Sequence, residues 1–242
     1  MQWQENSVIL SSKSFAENSR VVTVFNKTIG KTSGLVKNKR MSVQLGDISN
    51  ILWKGRTHDQ LGTFKIENIF SPFTYAFNNP LGIFAIDSIC FLCCIGLPEK
   101  APHQKLFNTL KTLLLSISQE NWLVNYALFE INFLSEIGFG LDLSKCALTK
   151  KTEDLFYVSP RTGCAATRSA GEKYKDKLFV LPQFLISKNT PSIAPTIYDI
   201  TRALLITGHF LKMYFSGINN GKLPLSRDYL IAGLSEKIKG AA

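Results

Sequence analysis

A helix with almost no polar side constrains this chain more than any other stretch. From Asn121 the sequence reads NWLVNYALFEINFLSEIGFG, and Trp122, Tyr126, Phe129, Phe133 and Ile137 recur at steps of three and four, one helical face. Leu123, Leu128, Ile131 and Leu134 fill the other faces, so other elements must cover this helix nearly all round. Gly138 and Gly140 end it, because glycine takes the left-handed turn after a helix without a Cβ clash. From Cys146 the composition shifts to Ser, Thr, Lys and β-formers. A buried helix thus leads, through a glycine turn, into a small β-like excursion.

The rest of the chain arranges itself around that junction. Residues 5–70 alternate short β-branched or aromatic runs (Val8–Leu10, Val21–Phe25, Leu35-Val36, Ile48–Trp53, Thr63–Ile69) with turn material at Asn26–Gly30, Gly34, Asn38–Ser42, Gly46-Asp47 and Gly55–Gly62. Five short strands suit a small barrel, either an OB-fold or an SH3-like one. Residues 80–139 predict three helices: Pro80–Gly96, Pro102–Ser118 and the one above. Two more are predicted at 194–216 and Leu223–Lys239, so a helical domain brackets the β-like insert. Within the insert, Phe156–Val158, Ala165–Arg168 and Leu178–Leu181 are candidate strands, with a turn at Pro160–Gly163. The expected architecture is α+β and multidomain: a barrel at 1–75, a helical domain at 76–143 and 190–242, and an insert at 144–189.

Several of these stretches carry a likeness. Phe129-Glu130, Leu134, Gly138–Leu143 and Cys146 are followed by Asp154-Leu155, Tyr157–Gly163, with further matches at LPEKAPHQKLF (Leu97–Phe107) and YKDKLFVLPQFL (Tyr174–Leu185). Weaker ones lie at Glu17–Gly34 and Leu61–Glu67. In this order, over nearly the whole chain, the sequence resembles the RecO family of bacterial DNA-repair proteins. The resemblance implies an OB-fold at the N-terminus and a non-catalytic recombination mediator. Such a protein binds single- and double-stranded DNA, anneals complementary strands and assists RecA loading on DNA coated by single-strand-binding protein. It also implies two protein partners, RecR and the C-terminal tail of single-strand-binding protein. In relatives that bind zinc, the insert is a ribbon with two C-x-x-C pairs. Here each place keeps one cysteine: Cys146 is followed three residues on by Thr149, and Cys164 by Thr167. Two thiols and two hydroxyls do not make a structural zinc site, so no metal and no cofactor are expected. The ribbon is expected to persist, with Cys146 and Cys164 on facing turns and Leu155, Tyr157, Val158 and Phe179 packed on the helices.

Charge agrees with a polyanionic partner. The net charge is +10, and it is segregated. Residues 1–75 carry 10 Lys/Arg against 5 Asp/Glu, residues 76–143 carry 3 against 6, and residues 144–188 carry 9 against 4. The candidate phosphate contacts in the barrel are Lys13, Arg20, Lys27, Lys31, Lys37, Lys39, Arg40, Lys54 and Arg56, with Trp53 and Phe64 weighed as stacking platforms or core. The segment from Gly34 to Gly46 is short for the family, and Leu45-Gly46 stands where Pro-Gly is usual, which argues against a long basic loop there. For the acidic, Phe-ended tail, the basic rim is expected at Lys105, Lys111, Arg202 and Lys212. A generic single-stranded DNA or RNA-binding module remains the alternative.

No catalytic constellation is visible. The chain lacks G-x-x-x-x-G-K-[ST], G-x-S-x-G and H-E-x-x-H, and His58, His103 and His209 stand singly. Cys90-x-x-Cys93 lies inside an apolar helix and is expected to be core. The apolar run Leu81–Leu97 is interrupted by Asp87 and is too short for a membrane helix. Met1–Leu10 has no basic start like that of a secretory signal, and five cysteines without a paired framework fit a reducing compartment. The expected location is cytoplasmic, at the nucleoid.

Overall fold

The computed structural model describes residues 1–37, 42–57, 60–186 and 194–240. It groups the chain into two compact units, Met1–Trp122 with Pro224–Leu230, and Leu123–Leu223 with Ile231–Ala242. Compactness and composition therefore divide the chain at different points.

The first unit opens with five strands: β1 (Gln2–Ala16), β2 (Ser19–Asn26), β3 (Gly30–Val36), β4 (Ile48–Lys54) and β5 (Gly62–Phe70). β1 runs far beyond the Val8–Leu10 that its apolar run predicts, because alternate residues face solvent and read as polar. Its first half pairs antiparallel with β4, from Gln2↔Lys54 to Val8↔Ile48, and its second half with β2, from Ser7↔Asn26 onward. That double use closes the sheet into a barrel in the order β1-β2-β3-β5-β4. β3 and β5 meet in parallel at Gly34↔Gly62 and Leu35↔Thr63. Ile9, Val22, Val24, Val36, Ile51, Trp53, Phe64 and Ile66 fill the interior. Gly34, expected at a turn, lies within β3: a Cβ there would come 2.8 Å from the Phe64 ring. Trp53 and Phe64 are core, 2% and 6% exposed, with Trp3 stacked on Trp53 at 6.2 Å between centroids.

Three helices follow, α1 (Pro72–Ala76), α2 (Pro80–Gly96) and α3 (Gln104–Leu115). Pro80 starts α2 where its missing N–H costs nothing. Cys90 and Cys93 face inward, and the Cys90 thiol donates to the Ile9 carbonyl at 3.6 Å. Burial pushes both the Cys90 and Cys93 thiols well up, so this C-x-x-C packs and does not react. Leu106, Phe107, Leu110, Leu113 and Leu114 bury one side of α3, and Phe107 meets Phe25 edge-on at 5.7 Å. α3 begins and ends inside the predicted Pro102–Ser118, and α1 is too short to have shown a period.

The second unit is built on α4 (Trp122–Glu136), where Tyr126, Phe129, Phe133 and Leu134 are fully buried. Glu130 is buried among them and accepts a hydrogen bond from the Thr207 hydroxyl. The insert is a three-stranded sheet in the order β7-β6-β8, formed by β6 (Leu155–Val158), β7 (Ala165–Thr167) and β8 (Phe179–Val180). A short α5 (Arg168–Gly171) and a 3-10 turn at Glu172–Lys177 link β7 to β8. α6 (Ile197–Asn219) starts at a capping box, in which Thr196 accepts from the Asp199 N–H while the Asp199 carboxylate accepts from the Thr196 N–H. It stops at Asn220 and Gly221, both in the left-handed region. α7 (Leu225–Gly240) closes the chain. The insert is anchored on α6: the Phe179 ring lies 5.4 Å edge-on from His209, and His209 Nε2 is 2.9 Å from the Pro160 carbonyl. Leu155, Tyr157 and Val158 are buried. Among the described residues, no helix is long and apolar enough to cross a membrane.

Candidate nucleic-acid interface

Strand register decides which barrel cations are neighbours. Lys54 pairs with Thr63, Thr63 with Leu35, Leu35 with Val21, and Val21 with Lys13. This row crosses β4, β5, β3, β2 and β1, four inter-strand steps or roughly 19 Å measured around the barrel wall. Arg20 lies one residue from it, opposite Ser14 and Val36, and Lys37 follows Val36. Lys13, Lys37, Lys54 and Arg56 are exposed, and Arg20 is half-buried. Lys65, two residues beyond Thr63 on β5, adds an exposed cation to the same band. Lys39 and Arg40 lie outside the described residues.

Two of the expected contacts lie elsewhere. Lys27 is exposed in the β2–β3 turn, six residues along the strand from Val21 and so roughly 20 Å from the band. Lys31 is only 8% exposed, and its ammonium donates to the Cys94 carbonyl at 2.7 Å. That carbonyl belongs to the last turn of α2, where backbone acceptors lack helical partners and the dipole favours a cation. Lys31 is committed to the helix end and does not face solvent.

The band also holds a residue that sequence reasoning passed over. Phe15, on β1 two residues beyond Lys13, is 65% exposed. Composition alone assigns a phenylalanine to the core. Its signal is its place in a polar alternation, SSKSF, where the neighbouring in-strand residues are Ser and Lys. With Lys13 two residues away on the same strand, Phe15 offers a stacking face next to phosphate-seeking charge.

The expected tail-binding residues fall in two groups. Lys105 and Lys111 are on α3 of the first unit, exposed and half-buried respectively. Arg202 and Lys212 are on α6 of the second. Arg202 lies over the Tyr198 ring at 4.1 Å and donates to its hydroxyl at 2.7 Å. Tyr198, Leu205 and Met213 are exposed on the same helix at spacings of seven and eight residues, which places them on one face with Arg202 and Lys212 at its edge.

The insert is the second basic region. Lys145, Lys150 and Lys151 sit on one tight turn, closed by Cys146 N–H to the Lys151 carbonyl at 2.7 Å and Lys150 N–H to the Cys146 carbonyl at 3.0 Å. That turn is tied to β7 by Ala147 N–H donating to the Ala165 carbonyl at 2.9 Å. Two of the insert's acids are taken up locally, Asp154 by Arg168 at 3.9 Å and Glu172 by Lys175 at 3.2 Å. The Cys146 sulfur accepts the N–H groups of Thr149 and Thr167, each at 3.4 Å, and lies 3.8 Å from the Thr167 hydroxyl. Burial pushes the Cys146 thiol up, but the hydrogen bonds from Thr149, Thr167 and Leu148 outweigh that and hold it down at about 6. The Cys164 thiol donates instead to the Thr162 carbonyl at 3.6 Å. Among the described residues, no three His, Cys, Asp or Glu side chains gather as metal ligands.

Against known proteins, residues 1–73 match the sequence model of the recombination protein O N-terminal region and residues 81–222 that of its C-terminal region. The chain is similar to the DNA repair protein RecO of Phenylobacterium zucineum, 34% identical over 242 residues, 98% of each chain. It is also similar to the RecO of Caulobacter vibrioides strain NA1000 (34% identical, 99% of this chain and 100% of that one). A third is the RecO of Rickettsia canadensis, 35% identical over 88% of this chain and 89% of that one.

Proposed function

This chain belongs to the RecO family of DNA repair proteins, and from that membership we propose that it is a non-catalytic recombination mediator. In this reading the barrel is an OB-fold that binds single- and double-stranded DNA, brings complementary strands together and assists RecA loading on DNA coated by single-strand-binding protein. The observation that carries it is the lateral band, in which Lys13 and Lys54 end one cross-strand row, Lys37 follows the end of β3, Lys65 is exposed two residues from Thr63, and Phe15 is exposed two residues from Lys13. Cations on such a row neutralise successive phosphates and release their counterions, while the ring stacks on an unpaired base. Annealing then needs no bond chemistry: neutralising the backbones of two strands removes most of their mutual repulsion. The basic insert supplies a second phosphate-binding surface for the second strand. The Tyr198–Met213 face of α6, edged by Arg202 and Lys212, suits the acidic, aromatic-ended tail of single-strand-binding protein, and RecR is the other expected partner.

A salt titration tests the barrel. Binding of a labelled single-stranded oligonucleotide is followed by anisotropy for the wild-type chain and for a Lys13→Ala, Lys37→Ala, Lys54→Ala, Lys65→Ala variant. Each cation taken off a phosphate should lower the slope of log K against log salt by about 0.7, so the fourfold variant should fall by about 3. A variant with native circular dichroism and an unchanged slope removes the barrel from the grip. A structured RNA that competes as well as single-stranded DNA would favour a generic nucleic-acid module.

A further inference from the structure

Cys146-x-x-Thr149 and Cys164-x-x-Thr167 repeat the spacing of metal knuckles but lack the donors for a metal. Zinc in a structural site takes four nitrogen or sulfur ligands in a tetrahedron. The corners available here are Cys146, Thr149, Cys164 and Thr167, two thiols and two neutral hydroxyls, and these do not fit the ion. What the corners do instead is visible. The Thr149 N–H points back at the Cys146 sulfur across the tight turn at 3.4 Å, and Thr167 reaches the same sulfur from β7 with its N–H at 3.4 Å. The Thr167 hydroxyl lies 3.8 Å from that sulfur, about the edge of a tetrahedron of ligands 2.0–2.3 Å from a zinc ion. The same hydroxyl accepts the Ala170 N–H at 3.4 Å and so caps α5. Cys164 has turned away: its N–H meets the Thr162 hydroxyl at 3.4 Å and its thiol donates to the Thr162 carbonyl at 3.6 Å, within its own turn.

We infer that the Cys146 sulfur, from its own corner, now does the ion's work of joining the two turns. It gathers the Cys146–Thr149 turn and the Cys164–Thr167 turn by hydrogen bonds, and keeps the Cys146–Thr167 edge at tetrahedral spacing, so that thiols at 149 and 167, with Cys146 and a Cys164 swung back from Thr162, would rebuild a metal site. The two turns are also joined without sulfur, by Ala147 N–H to the Ala165 carbonyl at 2.9 Å and Ala165 N–H to the Asp142 carbonyl at 2.9 Å. Those bonds fix the spacing a rebuilt site needs. The inference stands whether or not the barrel grips DNA, since it concerns the insert's own cohesion.

The test compares the full wild-type chain with its Thr149→Cys/Thr167→Cys double variant, using elemental analysis for zinc and titration with cobalt(II) alone. The wild-type chain should retain no metal through desalting and show no visible absorption with cobalt. The double variant should bind about one cobalt per chain and develop the d–d bands of a tetrahedral thiolate site. About one zinc per wild-type chain that resists dialysis would overturn the loss of the metal. A double variant with native circular dichroism that binds no cobalt would overturn the retained frame. Should the double variant prove insoluble with and without metal, Cys146→Ser and Cys164→Ser decide the matter. Joining of the two turns by Cys146 requires the first to lower the melting temperature clearly more than the second, and equal shifts overturn it.

Discussion

Replacing Lys31 with methionine separates a structural cation from a DNA-binding one. Methionine keeps most of the apolar stem and removes the ammonium, so the change leaves packing near native and deletes one interaction. That interaction is the 2.7 Å hydrogen bond to the Cys94 carbonyl, made by a side chain only 8% exposed. A hydrogen bond with one charged partner contributes about 1.5–3 kcal/mol, and a cation at a helix C-terminus about 0.3–1 kcal/mol, part of which is the same energy counted again. A net loss of about 2 kcal/mol is expected, a fall in melting temperature of roughly 8 °C for a unit of this size. Urea unfolding followed by tryptophan fluorescence suits the measurement, because Trp3 and Trp53 stack in the same barrel. The salt slope for single-stranded DNA should stay at its wild-type value. A Lys31→Met protein with unchanged stability and a slope lowered by about 0.7 would refute the assignment and return Lys31 to the phosphate contacts.

Three further outcomes follow from geometry. Gly30 has φ +85, and a Cβ there would lie 2.0 Å from the Ala101 carbonyl oxygen, so Gly30→Ala should cost at least about 3 kcal/mol; a melting temperature within a degree of wild type would show that this link adjusts freely. Cys146 is held down at about 6 from an ordinary 9.0, so the stability it adds is complete above the ordinary thiol range and is lost as pH falls through about 6. Melting temperature should therefore rise from pH 6 to pH 9 more in the wild-type chain than in Cys146→Ser, and superimposable profiles would exclude a thiolate there. Reversing the charges of Arg202 and Lys212 should abolish binding of an acidic, Phe-ended peptide, while reversing Lys105 and Lys111 reports on the first unit; a peptide that still binds after all four reversals has its site elsewhere.

What can be read from the sequence divides by distance along the chain. α2 begins at Pro80 and ends at Gly96 as its punctuation says, because a proline start and a glycine stop act within one turn. α4 announces its burial through an apolar residue on every face. The Cys146/Thr149 and Cys164/Thr167 spacing is equally plain, being three residues each time. The features that sequence hides all depend on partners far away along the chain. β1 is a full strand only because two different strands pair with its two halves, and its polar alternation conceals it until both are in place. Gly34 reads as a turn until the Phe64 ring is seen to require the space.

The same division explains why the candidate site is only half legible. Counting cations says correctly that residues 1–75 are basic, but a count weighs Lys31 and Lys54 alike. One is consumed by a helix end 63 residues away, and the other stands exposed on a row that runs through Thr63, Leu35 and Val21 to Lys13. The difference is not in the residues but in the register. A polyanion meets only charge that the fold has left unspent, so the useful quantity is the exposed charge along a continuous row. By that measure the barrel offers fewer contacts than its composition suggests. Phe15 stands among them as a large aromatic side chain left exposed on β1, two residues from Lys13.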